Sequence, residues 1–185
     1  MALKATIYKA AVQISDMDRH VYGEHQMTIA RHPSETDERM LIRLLAFALH
    51  VPATDDGGTL EFAKDMWGTE EPSLWQRDLT GRIEHWIDVG QPDEKRLLRA
   101  SSRAGRVSVV SFSSSTPIWW SGVALKLNRV RNLAVWQVPA DQSQVFGSLA
   151  ERSMKLNVTV QDGSVWIDTG ERSVEVIPIR LSADG

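Results

Sequence analysis

Read from the N-terminus, core-type residues first recur at every second position. In KATIYKAAVQIS, Thr6, Tyr8, Ala10, Val12 and Ile14 fall on one side, the spacing of a half-buried strand. The polar stretch Ser15 to His20 predicts a turn and VYGEHQMTIARH a returning strand, so the chain opens with a hairpin. The period then changes. In PSETDERMLIRLLAFALH, Met40, Leu41, Leu44, Leu45 and Ala48 form a helical stripe, and His32-Pro33-Ser34 supply the entry. Glu35, Asp37 and Glu38 complement the positive end of that helix. Pro52 and TDDGG close it, and a short strand is expected around Leu60 to Phe62.

EPSLWQRD predicts a short helix or turn, Thr80-Gly81 a tight connection, and RIEHWIDV a strand. Gln91 to Arg103 predicts a second helix, and RVSVVSF is a continuous apolar strand of the kind that parallel sheets bury. TPIWWSGVALKLN predicts a third helix, NLAVWQV a strand and ADQSQVFGSLAER a last helix. Strands fill the remainder: MKLNVTV, SVWIDTG after the Asp162-Gly163 turn, then SVEVIPIRL. The expected fold class is α/β, a mixed β-sheet flanked by helices on both faces, with additional hairpin strands. One domain over residues 1–185 is expected, because no Gly/Ser/Pro-rich hinge marks a division near residue 139.

Composition changes this picture mainly by exclusion. The chain has 185 residues and no cysteine, which removes a disulfide framework, thiolate chemistry and zinc–thiolate sites. A net charge of −3 exerts no global pull toward nucleic acid and leaves room only for a local basic stripe. No run approaches the ~18 consecutive apolar residues of a membrane-spanning helix, so no membrane partner is expected. The N-terminus lacks a signal-peptide core, and the expected location is cytoplasmic. Seven tryptophans are many for this length, but tryptophan is mostly core or interface area.

Candidate chemistry concentrates in RIEHWIDV, where Glu84, Trp86 and Asp88 share one face. Glu84 and Asp88 stand roughly 13 Å apart on an extended strand, too far to hold one metal ion by themselves. Asp88 lies deep in the apolar run, where an unpaired charge is costly. It must sit at a sheet edge, pair with a cation or hold a metal. Asp78 precedes the same strand across LTGR, and a fold-back could bring it toward the C-terminal end of the sheet. Glu38 flanks the first helix's apolar stripe, with Asp37 as the competing acid. Lys95, Arg96, Arg99, Arg103 and Arg106 recur at near-helical spacing, either a phosphate-contacting stripe or ordinary charge complementation behind Asp93-Glu94. Lys126, Arg129 and Arg131 add positive charge to a loop that reads as solvated surface. The five histidines show no ligand-pair spacing, and the run Ser111 to Ser115 lacks the context of a nucleophile elbow. Gly57-Gly58 is not followed by the Lys-Ser/Thr of a phosphate loop.

Four blocks, ALKATIYKA, ARHPSETDERMLIRLLA, WIDVGQPDEKR and VQDGSVWI, resemble in order those of the YaeQ family, and the resemblance covers essentially the whole chain. It implies a restriction-endonuclease-like (PD-(D/E)XK) core, in which carboxylates gather Mg²⁺ and a lysine steadies the attacking water. Arg77-Asp78 would then stand for the Pro-Asp element and Asp88 for the second carboxylate. Glu38 would be the additional helix acid, so that Asp78, Asp88 and Glu38 form the metal set. Two departures stand out. Arg77 replaces the proline, and Gly90 occupies the position of the lysine, leaving Lys95 to supply a migrated charge. The expected function is a nuclease-like protein performing metal-dependent phosphodiester hydrolysis of nucleic acid. The alternative is a non-catalytic protein-interaction or regulatory module on the same scaffold, whose partner is a protein. Binding of nucleic acid without cleavage would instead rest on Arg99 and Arg103.

Overall fold

A computed structural model describes residues 4–65 and 68–183. Their contacts fall into two compact units, residues 1–53 with 139–178, and residues 54–138 with 179–185.

The first unit opens with the expected hairpin, β1 (Thr6–Asp16) and β2 (Val21–Arg31). Tyr8, Ala10, Val12 and Ile14 are buried as their alternation requires. Helix α1 (Asp37–His50) begins later than its entry sequence suggests. Thr36 is extended and accepts from the Arg39 amide (3.1 Å), so it is the true N-cap, and His32 to Glu35 form a preceding turn. Three strands follow in the chain's last third: β8 (Ser153–Gln161), β9 (Ser164–Asp168) and β10 (Ser173–Val176). The sheet order is β10-β9-β8-β1-β2, with β1 and β8 parallel and the other pairs antiparallel. Helix α4 (Ala140–Gly147) packs on α1. A Cβ at Gly147 would come within 2.9 Å of the Glu38 backbone, so the close approach of these helices requires glycine there.

The second unit holds β3 (Leu60–Phe62), β4 (Leu74–Arg77), β5 (Ile83–Val89), α2 (Glu94–Arg103), β6 (Ala104–Ser111), α3 (Thr116–Val123), a 3₁₀ turn (Ala124–Leu127), β7 (Leu133–Gln137) and β11 (Ile179–Arg180). Its sheet runs β11-β7-β6-β5-β4-β3, with β5, β6 and β7 parallel. The expected helix or turn at EPSLWQRD is instead β4, paired antiparallel with both β3 and β5. Leu74, Trp75 and Gln76 are all buried, which erases the alternation that marks a one-sided strand. The chain thus builds two mixed sheets rather than one. The final apolar run explains how: SVEVIPIRL supplies β10 to the first sheet, breaks at Ile177-Pro178, and supplies β11 to the second. Proline has no N–H to donate to a ladder, so one run serves two sheets.

Candidate functional site

Asp88 lies near the C-terminal end of β5, in register with Val109 of β6, and is 3% exposed. The chain then turns at Gly90, whose φ of 112° lies in the left-handed region that favours glycine. The position where the family resemblance would place a lysine is therefore held by a backbone requirement. Asp93 caps the next helix, accepting from the Arg96 amide at 2.8 Å, and α2 rises from there. This strand–turn–helix path aims the Arg96 guanidinium at Asp88. Nε reaches one carboxylate oxygen at 2.8 Å and Nη2 the other at 2.9 Å, the two-pronged geometry that Arg and carboxylate form best. Two further guanidinium hydrogens hold the Gly68 carbonyl (3.2 Å) and the Glu71 carbonyl (2.9 Å). The Asp88 carboxylate raises the Arg96 pKa, so the cation is fixed at every physiological pH. Beneath the clamp, Trp86 packs edge-on against Trp75 and carries Arg96 and Arg103 over its ring.

Asp78 follows β4 at the other end of the same hairpin. Its amide donates to the Arg82 carbonyl at 3.0 Å, which places it beside the start of β5. From Arg82 to Asp88 an extended strand spans roughly 20 Å, so the β4–β5 hairpin does not bring these two acids together. The Asp78 carboxylate instead accepts from the Thr80 hydroxyl (2.6 Å), the Thr80 amide (2.8 Å) and the Arg82 amide (3.0 Å), closing an Asx-type turn. These bonds, the hydroxyl first, hold its pKa below the ordinary carboxylate value. A lowered carboxylate pKa favours the fold above the unfolded value, and that contribution disappears as pH falls through the lowered folded value. Acidification below the ordinary 3.8 is therefore expected to loosen this turn. The check is faster hydrogen exchange at the Thr80 and Arg82 amides, absent in Asp78→Ala.

Glu38 belongs to the first unit, where its carboxylate accepts a hydrogen bond from the Ser143 hydroxyl of α4 at 2.6 Å. Asp37, its competitor, pairs with Arg31 (2.6 Å) and receives the Tyr8 hydroxyl (3.3 Å). Lys95 is exposed on α2. Arg77 stacks over Trp75 at 4.1 Å and pairs with Glu61 at 3.1 Å. Of the basic stripe, Arg99 and Arg103 both reach Glu70, while the loop cation Lys126 reaches Glu94. Ser111 ends β6, and the rest of the serine run is a loop leading into α3, in which Gln91 donates to Ser113 and Ser115. Among the described residues, no three His, Cys, Asp or Glu side chains gather to hold a metal ion. Mg²⁺ asks for several oxygen ligands, and the buried carboxylate already has its cation.

Of the three arrangements that Asp88 suggests in sequence, edge, cation or metal, the structure shows it paired with a cation eight positions downstream on the next helix. The signal was the spacing strand–Gly–Pro–cap–helix, which returns the helix's first turn to the strand end. Two arrangements carried no such signal. The Ser143–Glu38 bond joins residues 105 positions apart. A buried His85–Ser108 hydrogen bond (2.7 Å) crosses β5 to β6 on the face opposite Trp86.

These features define a mixed α/β protein with two mixed sheets flanked by helices, in which a buried strand acid is neutralised by a helix arginine. The family is shown by direct comparison: the model described as YaeQ protein matches residues 1–178, and the chain belongs to the YaeQ family. It is 38% identical to YaeQ of Escherichia coli (strain K12) over 177 residues, 95% of either chain. The crystal structure of YaeQ from Xanthomonas axonopodis pv. citri is similar at 42% identity with a TM-score of 0.90, over 97% of this chain and 99% of that one. YaeQ from Pseudomonas syringae is similar at 35% identity with a TM-score of 0.88, over 97% of both chains. Among the described residues no helix is long and apolar enough to cross a membrane.

Proposed function

We propose that this protein is a non-catalytic protein-interaction or regulatory module built on a nuclease-like scaffold. The observation that carries this reading is the Asp88–Arg96 clamp. In a restriction-endonuclease-like (PD-(D/E)XK) core, a strand carboxylate at this place would face a hard cation. Here it faces a guanidinium that also ties two backbone carbonyls, an arrangement suited to holding shape. Support for an interaction role comes from α3 and its 3₁₀ extension. They bury only Thr116 and Leu127, while Ile118 and Leu125 stand 77% and 81% exposed, two helical turns apart on one side. The partner that fits is a protein with a complementary apolar strip.

A second reading keeps hydrolysis of nucleic acid, with Asp78, Asp88 and Glu38 as ligands of Mg²⁺ and Lys95 offsetting phosphate charge. It is favoured by the position of Asp88 at the C-terminal end of a parallel strand, where open α/β sheets gather ligands. It would require Arg96 to release Asp88. Calorimetry with Mn²⁺ and a cleavage panel of DNA and RNA separate the two readings. The module reading expects no saturable binding at millimolar metal and no cleavage. It also expects capture of a stoichiometric protein partner that survives chelator and is lost in Ile118→Asp/Leu125→Asp. Metal-dependent cleavage abolished by Asp88→Ala overturns it.

A further inference from the structure

The second unit contains a pocket of about 280 Å³, near the lower end of the size range for small-molecule sites. Buried Leu127 and Leu133 form its floor, and Trp120 and Leu181 extend the apolar wall. Its polar side chains are Arg131, Ser182 and Asn128, whose carboxamide both donates and accepts. Arg131 carries a guanidinium, which has only donors, and among the described residues it has no carboxylate partner. Ser182 already accepts twice at Oγ, from the Val135 amide (2.9 Å) and from Arg180 Nε (3.0 Å). Both its lone pairs are taken, so what it can still offer is its hydroxyl proton. An apolar cavity with an exposed cation that has no carboxylate partner, a hydroxyl left with only its proton to offer and an adaptable carboxamide suits an apolar body ending in an anion.

We propose that this pocket binds a small monocarboxylate with an apolar body, its carboxylate paired with Arg131 and receiving the Ser182 hydroxyl. A neutral ligand of the same shape would satisfy the apolar wall and leave both donors with weaker partners, whereas a charge-assisted pair is roughly twice as strong as a neutral one. A dianion or a phosphate would bring a second charge against leucines. The pocket uses none of the residues of the Asp88–Arg96 clamp, and its occupancy is independent of how that clamp is read.

Calorimetric titration of the full chain with 3-phenylpropionate and with the neutral 3-phenylpropanamide tests the assignment. The expected result is one saturable site for the carboxylate, at least about tenfold tighter than for the amide. Arg131→Gln should remove that preference and leave amide binding unchanged. Asn128→Asp, which sets a carboxylate of the protein's own in the same pocket, should weaken the carboxylate ligand alone. Both positions are exposed, so both variants should fold, and a thermal melt confirms it. Equal affinity for the two ligands, no saturable binding at millimolar carboxylate, or an unchanged preference in Arg131→Gln overturns the proposal.

Discussion

Arg96→Met is expected to lower the free energy of unfolding by about 3 kcal/mol, the lower part of the range for breaking one side of a buried ion pair. The Asp88 side chain is 5% exposed, so removing the guanidinium leaves a carboxylate in the sheet interior with its charge uncompensated. Arg96 itself is 22% exposed, which keeps the figure from the upper end. The same variant frees the Gly68 and Glu71 carbonyls, so amide exchange around residues 68–71 should accelerate beyond the global change. Asp88→Leu combined with Arg96→Met should recover most of the loss, since an apolar pair of similar volume is often neutral. Urea denaturation of the two variants measures this directly. An acid kept for metal chemistry behaves differently: a strained functional carboxylate is commonly relieved by substitution, and Asp88→Ala would then leave stability unchanged or raised. A fastening carboxylate predicts the reverse, because Asp88→Ala takes from Arg96 both oxygens of its forked pair and should lower stability, so this one variant separates the two readings.

How much of this was legible beforehand follows from how local each cause is. The N-terminal hairpin was readable because its period is set by one buried face, α1 because its apolar residues recur at helical spacing, and β6 because RVSVVSF is a long apolar run rich in valine. Strand β4 was not, because burial on both sides of Leu74, Trp75 and Gln76 removes the period itself. The division into two sheets escaped notice because it is set by which strands pair, β1 with β8 in one and β5, β6 and β7 in the other, a choice that no strand's own period records. For the candidate acids, the residue types were visible and their partners were not. Nothing near Asp78 distinguishes a ligand from an Asx turn except the Thr80 hydroxyl two positions on. Nothing near Glu38 announces Ser143. The pocket at Arg131 had no sequence signal at all, because Leu181 and Ser182 reach it only through the late pairing of the chain's end.

Glu35→Leu is the other substitution with a large expected effect, about 3–5 kcal/mol. Glu35 is fully buried at its side chain and Arg43 nearly so, at 3% exposure. Arg43 Nε and Nη2 each reach a Glu35 oxygen at 2.8 Å, and Nη2 also holds the Ala30 carbonyl at 2.9 Å. Without the acid, the guanidinium keeps its positive charge in a buried position and loses both carboxylate oxygens that it now bonds. Arg43→Met should cost less, because Arg39 already contacts Glu35 at 3.3 Å and keeps part of its charge balanced. The double variant Glu35→Leu/Arg43→Met should be closer to wild type than Glu35→Leu alone, giving a coupling energy well above that of distant sites. If the double variant is as unstable as the single, packing rather than charge sets the cost. The device is the one that Asp88 and Arg96 use: a buried acid and an arginine of the following helix, forked together, with the arginine also holding main-chain oxygen, the Ala30 carbonyl here and the Gly68 and Glu71 carbonyls there. Among the described residues each unit carries such a joint where a strand hands over to its helix, so in the first unit the joint has a structural role that no reading of catalysis requires. That recurrence is the physical reason for treating Asp88 as a fastening before treating it as a ligand.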